Sequence, residues 1–293
     1  MQRYIKNMEK QNDINKKIRT CIHTVILNEL DEYLTAWLNH HSPMVDHIYI
    51  FEDIRSRSHK HITYKYPNVT LMSVLDIFEQ DSTRAGIIKK KDEGGITQGE
   101  YLVYGLLKIQ ALNQYDWCFT LDIDEFITLQ EPYKGIPEVL EEFQQYDAVL
   151  LQWMNFGASG RVFKPNYDGR DYREFYTQRA NDSKADNMFC INTKVAWNLN
   201  LMNRRTIGGI HCANGNNWVK TNFNNDRKII SYDKIYLKHY VTKSWEEFLW
   251  KLDTRGMHCG KRHRTYDDFF QINPDMENRK DELIEIKNNI LKL

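Results

Sequence analysis

The sequence predicts an α/β protein whose central, mostly parallel sheet carries helices on both faces. Short apolar runs of strand character alternate with amphipathic segments of helical spacing through the first half of the chain. Three of the apolar runs end in acidic or amide residues, which is typical of the edge where the carboxyl ends of parallel strands meet. With 293 residues, 41% of them hydrophobic, the chain is long enough for a substantial core.

Strands and helices are predicted in alternation from residue 21 onward. The first strand covers 21–27, and a helix follows whose apolar stripe runs from Leu30 to His41 and which stops before Pro43. Pro137 fits the first turn of another helix. The remaining elements of this half are strands at 45–51, 69–74, 116–120 and 148–153 and a helix at 100–112.

The second half is less regular. From residue 155 to residue 225 the pattern loosens into Gly, Asn and aromatic residues, and long irregular segments in a compact domain usually serve function. Strand character returns at 188–196 and 234–241. Ser244 and Glu247 have the spacing of a capping box, which predicts a helix that ends at Gly256. A last amphipathic helix is predicted at 275–293.

Charge and cysteine usage exclude several classes of protein. Lys plus Arg and Asp plus Glu both number 40, and a net charge of zero argues against a protein that grips long nucleic acids. The 5 cysteines are widely spaced without a C-x-x-C pair, so we expect buried reduced thiols and a cytoplasmic location. No run approaches the roughly 18 apolar residues of a membrane span, and the basic start lacks the apolar core of a signal peptide.

The candidate site centres on Asp122 and Asp124, with Glu125 beside them, directly after the apolar run 116–120. On a continuing strand two residues at this spacing point to the same face. Neither has Lys or Arg as a sequence neighbour, so the carboxylates repel each other unless a cation lies between them. Such hard oxygen ligands suit Mg²⁺ or Mn²⁺. The alternative is an acidic turn at the end of a strand.

Other polar residues follow strands at the same predicted edge. Asn28-Glu29 and Glu52-Asp53 end two earlier strands, and an acid-lined edge suits a metal ion together with the hydroxyls and amide edges of a nucleotide. A diphosphate brought by that metal needs further cations, because two phosphates carry more charge than one divalent ion neutralises. The C-terminal segment offers Lys243, Lys251, Arg255, Lys261, Arg262 and Arg264.

Two histidines compete for a place in the ligand set. His239 lies in the predicted strand 234–241 and can bind a metal through a neutral imidazole. His211 follows two glycines and is the rival. Trp153, close to Gly157 and Gly160, has the composition expected where an aromatic face stacks on a sugar ring.

Four blocks of residues together resemble a known family. The first runs from Asn28 to Phe51 and includes Trp37 and His40-His41. The second is Trp117 with Leu121-Asp122-Ile123-Asp124-Glu125-Phe126. The third and fourth are Trp153, Phe156, Gly157, Ser159 and Gly160, and then His239-Tyr240, Lys243-Ser244, Phe248, Lys251 and Gly256. In this order, across about residues 21 to 270, they resemble GT-A glycosyltransferases of the DUF23 kind, that is family 92 and its bacterial family-2-like relatives.

The resemblance implies a GT-A fold, a nucleotide-sugar donor such as a UDP-sugar, a divalent metal and inversion at the anomeric carbon. It implies one glycosyltransferase domain at 21–270, with a nucleotide-sugar half at 21–126 and an acceptor half at 127–270. A basic lead-in at 1–20 precedes this domain, and a C-terminal amphipathic helix at 271–293 follows it.

Roles follow position by position from the same resemblance. Asp124 binds the metal, Asp122 contacts the ribose or the metal, Glu125 supports both, and His239 is the third metal ligand. The expected donor-binding residues are Asn28, Glu29, Glu52, Gln98, Asp122, Lys243 and Lys251. One departure is the run from Glu52 to Ser56, which stands where relatives usually read Asp-Asn-x-Ser.

An inverting transfer also needs a base for the acceptor hydroxyl. Asp171, Glu174 and Asp186 are candidates in the irregular middle of the chain. Glu174 is the first choice, because an acid followed by Phe recurs at this place in the proteins that the chain resembles.

The expected function is therefore a metal-dependent glycosyltransferase of the hexosyl type. The acceptor is a glycan or a lipid-linked molecule in surface polysaccharide or lipopolysaccharide synthesis, with peripheral membrane contact where the acceptor is lipid-linked. Two other classes stay open. Paired acids with a His also fit a metal-dependent phosphodiesterase or nuclease, and a non-catalytic binder of carbohydrate or nucleotide needs only the same pocket.

Overall fold

The structure is a computed structural model that describes residues 17–53, 55–74, 98–180, 192–209, 211–226, 229–255, 258–259, 262–263 and 265–290. Asp186, Gly256, Lys261 and Arg264, which the sequence singled out, lie outside these residues, as does most of the basic lead-in.

One large sheet runs through the described part of the molecule. Its strands lie in the order β3-β2-β1-β4-β7-β6-β9-β5, and β8 pairs with β6. The strands are β1 Thr20–Ile26, β2 His47–Glu52, β3 Val69–Ser73, β4 Trp117–Thr120, β5 Glu125–Leu129, β6 Ala148–Asn155, β7 Thr193–Asn198, β8 Trp218–Lys220 and β9 Ile235–His239. A small separate hairpin joins β10 His258–Cys259 to β11 Arg262–His263.

The first half of the chain forms the parallel part of this sheet. β1 pairs in parallel with β2 and β4, and β2 pairs in parallel with β3. Successive side chains of β1 enter different cores, because Ile22 packs in the cluster that contains α1 (Asp31–His41) and Cys21 packs in the cluster that contains α3 (Gln98–Leu112). The short helix α2 (Lys60–Thr63) precedes β3. The predicted α/β class, with a central sheet flanked by helices, is confirmed.

The second half adds antiparallel neighbours that the sequence pattern did not predict. β7 runs antiparallel between β4 and β6, and β5 pairs antiparallel with β9. The continuing strand expected through Asp122 and Asp124 is wrong. β4 ends at Thr120, and a turn follows in which the Glu125 N–H donates to the Asp122 carbonyl at 3.2 Å before β5 begins. The chain must turn here, because β5 leaves β4 to pair with β9.

The C-terminal helices follow the sequence patterns more closely. Ser244 and Glu247 form the predicted capping box, with the Glu247 N–H donating to Ser244 Oγ at 3.2 Å and the Ser244 N–H donating to Glu247 Oε2 at 3.1 Å. The expected helix at 275–293 is, where described, a 3₁₀ segment followed by α7. The helices are α4 Ile136–Leu140, α5 Trp245–Arg255, α6 Tyr266–Ile272 and α7 Lys280–Ile290, with 3₁₀ segments at Glu141–Phe143, Tyr172–Phe175 and Pro274–Arg279.

The cysteine side chains that the structure describes are free thiols. Cys21 and Cys118 are buried free thiols, and Cys212 is a half-buried one. None of the described helices combines the length and the apolar character that a bilayer crossing requires.

Asp116 fixes the start of β4, the strand that leads to the candidate site. Its carboxylate accepts hydrogen bonds from the Arg19 backbone N–H at 2.9 Å, from the Arg19 guanidinium at 3.2 and 3.3 Å, and from Asn200 Nδ2 at 3.3 Å. Burial opposes ionisation, but the contacts with Arg19 outweigh it and lower the pKa of Asp116 to about 2.

We predict that Asp116→Asn lowers the free energy of unfolding by about 1–2 kcal/mol at neutral pH. Because the folded-state pKa lies below the unfolded value, the charge contributes fully above pH 4 and its contribution is lost as the pH falls through 2. Urea denaturation of both proteins between pH 2 and 7 measures this, with exposed Asp275→Asn as the control. A difference that stays constant down to pH 2 contradicts the prediction.

Candidate functional site

The carboxyl ends of β2, β1 and β4 lie side by side at one edge of the sheet. Ile26 of β1 is in register with Glu52 of β2, and His23 of β1 is in register with Thr120 of β4. The Leu121 N–H continues this pairing by donating to the His23 carbonyl at 3.2 Å. The fold therefore brings the acidic strand ends to a common edge, as the parallel pattern predicts.

The loop after β2 folds over the ends of β1 and β2. Glu52 accepts hydrogen bonds from the backbone N–H and from Nδ1 of buried His59, both at 2.8 Å, and His59 Nε2 donates to the Glu29 carbonyl at 3.0 Å. Asn28 adopts φ 48°, a left-handed conformation that Asn tolerates, and its Oδ1 accepts from the Arg57 N–H at 2.9 Å. The sequence predicts that Asn28, Glu29 and Glu52 bind the nucleotide-sugar donor. Hydrogen bonds to the loop after β2 hold all three in one corner of this edge.

Gln98, the remaining predicted donor residue of this half, begins α3. Its side chain lies outside the described part of the structure.

Lysines that are remote in sequence bind both aspartates of the central motif. Lys194 of β7, which is fully buried, places Nζ 2.7 Å from Asp122 Oδ2. Lys251 of α5 places Nζ 2.6 Å from Asp124 Oδ2. The prediction that the two carboxylates lack a basic partner is therefore wrong, because the fold brings a lysine to each of them. We call Asp122, Asp124, Glu125, Lys194 and Lys251 the acid centre.

Glu125 is the most buried carboxyl of the acid centre. Its Oε2 accepts from the Asp122 N–H at 2.8 Å, and its Oε1 lies 3.7 Å from Lys194 Nζ. Within the described residues, Oε1 has no hydrogen-bond partner. Glu125 therefore holds the backbone of Asp122 in place.

The surroundings shift the pKa of Glu125 in the opposite direction from those of Asp122 and Asp124. Burial raises the pKa of Glu125 well above its ordinary value, and the neighbouring aspartates add to this against the charge of Lys194. Burial acts in the same direction on Asp124, but Lys251, His239 and then Lys243 outweigh it and hold its pKa well below the ordinary value. The pKa of Asp122 is also lowered, because Lys194 outweighs burial and the charge of Asp124.

Both candidate histidines lie at the acid centre. His239 Nε2 is 3.6 Å from Asp124 Oδ1, and its Nδ1 donates to Asn155 Oδ1 at 2.9 Å. The Nε2 atom therefore faces the carboxylate. His211 Nδ1 donates to the Thr193 carbonyl at 2.9 Å. Burial, followed by the charge of Lys194, lowers the pKa of His211 to about 4, so this ring is neutral at physiological pH.

Trp153 supports both imidazoles. The indole centroid lies 4.2 Å from the ring of His239 and 5.1 Å from that of His211. Because Trp153 is only 3% exposed, its face is not available for the sugar stacking that the sequence suggested. Its indole ring instead packs against the imidazole rings of both histidines.

Lys243 completes the positive side of the site. It precedes α5, and its backbone has φ 54°, a left-handed conformation that residues other than Gly rarely adopt. Its Nζ lies over the rings of Tyr33 and Tyr172, at 4.5 and 5.2 Å from their centroids. Of the six cations expected from the sequence, Lys243 and Lys251 are brought to Asp124. The described part of the structure does not include the side chains of the other four, Arg255, Lys261, Arg262 and Arg264.

The candidate bases occupy the 3₁₀ segment Tyr172–Phe175 and its start. Asp171 forms an ion pair with Arg173 at 2.6 Å, and the Arg173 guanidinium lies 4.0 Å from the ring centroid of Phe126. Phe126 follows Glu125 on β5, and consecutive strand residues point to opposite faces, so Arg173 packs on the face opposite to the Glu125 carboxyl group. Glu174 is exposed. The role of either residue as a base stays a prediction.

The donor set is compatible with a divalent ion of the Mn²⁺ or Mg²⁺ type. Two ligands at roughly 2.1 Å from one ion are at most about 4.2 Å apart, and Asp124 Oδ1 and His239 Nε2 fall within this limit at 3.6 Å. Among the described residues, no group of three or more His, Cys, Asp or Glu is arranged to hold a metal alone. Such a two-donor site suits ions that keep waters and bind through substrate phosphates.

Sequence reasoning missed Lys194 and Asn155. A signal for Lys194 was present, since this lysine interrupts the apolar residues around Val195 and Ala196 in a strand. A charged residue at an inward position of a strand requires a buried partner. Asn155 ends β6 in register with His239, and no local pattern in the sequence indicates that pairing.

Comparisons with known proteins add little to this geometry. No protein-family model and no curated protein matches the chain. Among solved structures it is similar to glucosyl-3-phosphoglycerate synthase from Mycobacterium tuberculosis in complex with Mn²⁺, UDP and phosphoglyceric acid, with 15% identity over 47% of this chain and 43% of that one and a TM-score of 0.30.

Two further structures show similarity of the same order. One is a mycobacterial protein, with 12% identity over 67% of this chain and 57% of the other and a TM-score of 0.34. The other is the galactosyltransferase LgtC in complex with donor and acceptor sugar analogs, with 10% identity, 61% and 58% coverage and a TM-score of 0.24. The chain thus spans about half the length of these structures. At such low TM-scores the similarity carries no argument for function, which rests on the site itself.

Lys194→Met tests the acid centre as a structural unit. We predict that it lowers the free energy of unfolding by about 3–5 kcal/mol, because it leaves buried carboxylates without their cation. Adding Glu125→Gln to Lys194→Met should restore part of this loss by removing one buried carboxyl group. Urea denaturation measures both effects, and Lys238→Met on the neighbouring strand β9 is the matched control. Equal stabilities of the Lys194 and Lys238 variants contradict the prediction.

Proposed function

We propose that this protein is a metal-dependent glycosyltransferase that moves a sugar from a nucleotide-sugar donor, a UDP-sugar in the first instance, to a glycan or lipid-linked acceptor. One observation carries the proposal. At the carboxyl edge of the sheet, ionised Asp124 faces His239 Nε2 across 3.6 Å, with Lys251 bound to its other oxygen and Lys243 close by.

This arrangement suits a departing diphosphate. An ion held by Asp124 and His239 would act as a Lewis acid that stabilises the negative charge on the leaving group. Lys251 and Lys243 add two fixed positive charges on the same side, which compensate the charge that one divalent ion leaves unbalanced. Neutral His211 and buried Trp153 keep the His239 ring in place beside the carboxylate.

The nucleoside half of the donor fits the corner beyond the acid centre. Asn28, Glu29 and Glu52 lie there, at the ends of β1 and β2, with hydrogen-bonding groups suited to a base and a ribose. Asp122 follows β4, the sheet neighbour of β1, and its carboxylate can accept a hydrogen bond from a ribose hydroxyl. Lys194 keeps that carboxylate ionised.

The acceptor side is assigned to the segment that carries Asp171 and Glu174. We propose Glu174 as the base that takes the acceptor proton in an inverting transfer, with Asp171 and Asp186 as the other candidates. Glu174 is exposed, whereas Asp171 is engaged by Arg173. A hexosyl donor and an acceptor in surface polysaccharide or lipopolysaccharide synthesis belong to the same proposal, as does action in the cytoplasm.

The acid centre disfavours two-metal phosphodiester hydrolysis. That chemistry places two ions about 3.5–4 Å apart between shared carboxylates. Here Lys194 Nζ, at 2.7 Å from Asp122, already lies where the second ion would need to bind. Only an experiment can distinguish the transferase from a non-catalytic binder of carbohydrate or nucleotide.

A ligand panel tests the donor site. We predict that UDP or a UDP-sugar with Mn²⁺ raises the melting temperature by about 4–5 °C at roughly one hundred times Kd, because ligand binding stabilises the folded state by about 2.7 kcal/mol. Chelation with EDTA should remove the shift. Stabilisation by free sugars alone would instead favour the binder.

Asp124→Asn extends the same prediction to the metal. It should abolish the Mn²⁺-dependent shift and lower transfer by at least about a hundredfold, because the amide binds a divalent ion poorly. Asp253→Asn, at an exposed position of α5, is the matched control. Full transfer activity in excess chelator would overturn the metal-dependent reaction.

Glu174→Ala tests the base. We predict a loss of transfer of about 10²–10⁴-fold with unchanged donor binding, because the base acts on the acceptor hydroxyl alone. Donor hydrolysis and transfer are measured together, with Asp168→Asn in the same segment as the control. Near-normal transfer in the Glu174 variant removes this residue from the role.

A further inference from the structure

Glu247 accepts more hydrogen bonds than a helix cap requires. Its Oε2 accepts from the Ser244 N–H at 3.1 Å, which belongs to the capping box, and also from Ser244 Oγ at 2.6 Å. In addition, the hydroxyl of Tyr167 donates to Oε1 at 2.7 Å, and the hydroxyls of Tyr33 and Tyr176 donate to the same carboxylate. We call these five residues the Glu247 hub.

The hub joins elements that are remote in sequence. Tyr33 belongs to α1, which follows the Asn28-Glu29 corner on the nucleotide side. Tyr167 and Tyr176 belong to the irregular segment that also carries Asp171 and Glu174 on the acceptor side. The ring centroids of Tyr33 and Tyr167 lie 6.2 Å apart, so the hydroxyls converge from packed rings rather than from mobile side chains.

Both lysines of the candidate site are attached to this hub. Lys243 immediately precedes the N-cap Ser244, and its ammonium group rests on the ring of Tyr33 at 4.5 Å. Lys251 lies four residues after Glu247, one turn further along the same face of α5. Its Nζ reaches Asp124 Oδ2 at 2.6 Å. Glu247 therefore adjoins both lysines: it binds the hydroxyl of Tyr33, on whose ring Lys243 rests, and it lies one turn before Lys251 on the same helix.

Stability alone does not explain a carboxyl group at this place. Glu247 is 5% exposed, and its burial raises its pKa to about 8. Ser244 by itself can cap the helix, and such a cap contributes about 1 kcal/mol. A buried ionisable group can often be replaced by an apolar one without loss of stability. What the carboxyl group provides is a set of directional contacts that fix three elements together.

We propose that Glu247 is a positioning residue that holds Lys243 and Lys251 in place for the diphosphate of the donor. The inference rests on the proposed function, because it assigns the two lysines to a diphosphate. Glu247 itself does not contact the donor. Long lysine side chains lose conformational entropy when they bind a ligand, and fixing their backbone and aromatic surroundings beforehand lowers this loss.

The test compares ligands that differ in phosphate number. Titration calorimetry with Mn²⁺ measures the affinities of UDP, UMP and inorganic pyrophosphate for the full chain and for Glu247→Gln. We expect the variant to bind UDP and pyrophosphate about tenfold more weakly, while its affinity for UMP stays within about twofold. Lys251→Met, which removes one of the ammonium groups directly, should show the same selective loss.

Matched variants separate positioning from simple loss of fold. Glu246→Gln changes the adjacent glutamate, whose Oε2 accepts from the Lys164 N–H at 2.7 Å outside the hub, and should leave the ratio of UDP to UMP affinity unchanged. Tyr167→Phe and Tyr176→Phe each remove one hub donor and keep the carboxylate. They should lower that ratio by about threefold, and they carry the test if Glu247→Gln does not fold.

The outcomes distinguish the inference from the function on which it rests. If the wild-type chain binds UDP with Mn²⁺ but the hub variants lose UDP and UMP affinity equally, or lose neither, the positioning role is overturned and the proposed function stands. If the wild-type chain binds no nucleoside diphosphate and no pyrophosphate, the proposed function falls and the inference falls with it.

Discussion

The candidate site depends on the compensation of buried negative charge. Asp122, Asp124 and Glu125 follow one another within a single turn, and two lysines, 72 and 127 residues later in the chain, bind the aspartates. Burying an unpaired carboxylate costs several kcal/mol. In the folded protein, the turn between β4 and β5 therefore depends on β7 and α5, which supply Lys194 and Lys251.

This compensation also makes the two aspartates unequal. Asp122 is paired with a lysine that has no exposure, so its charge is balanced inside the protein. Asp124 shares its carboxylate between Lys251 and the open side of His239. Asp124 therefore lies among more positive groups than Asp122, and this surplus of positive charge favours a ligand that carries negative charge beside it.

The contacts of helix α5 extend beyond the acid centre. α5 contributes Lys251 to Asp124 and Glu247 to the tyrosines of α1 and of the irregular segment. A single helix therefore links the acid centre, α1 and the irregular segment that carries Asp171 and Glu174. Changes at any of these three places are expected to be felt at the others through rigid contacts, since packed rings and hydrogen bonds leave little room for independent movement.

Local patterns in the sequence determined the parallel strands β1, β2 and β4, the helices α1 and α3, and the capping box of Ser244 and Glu247. These features follow from the spacing of apolar residues and from capping chemistry, both of which act over a few residues. Tertiary structure alone decided the rest. It placed the aspartates in a turn rather than on a strand, paired β5 with β9, brought Lys194 and Lys251 to the acid centre, and gathered the tyrosines around Glu247. Each of these outcomes is a contact between residues far apart in the chain, and its energy depends on burial and pairing that no short stretch of sequence contains.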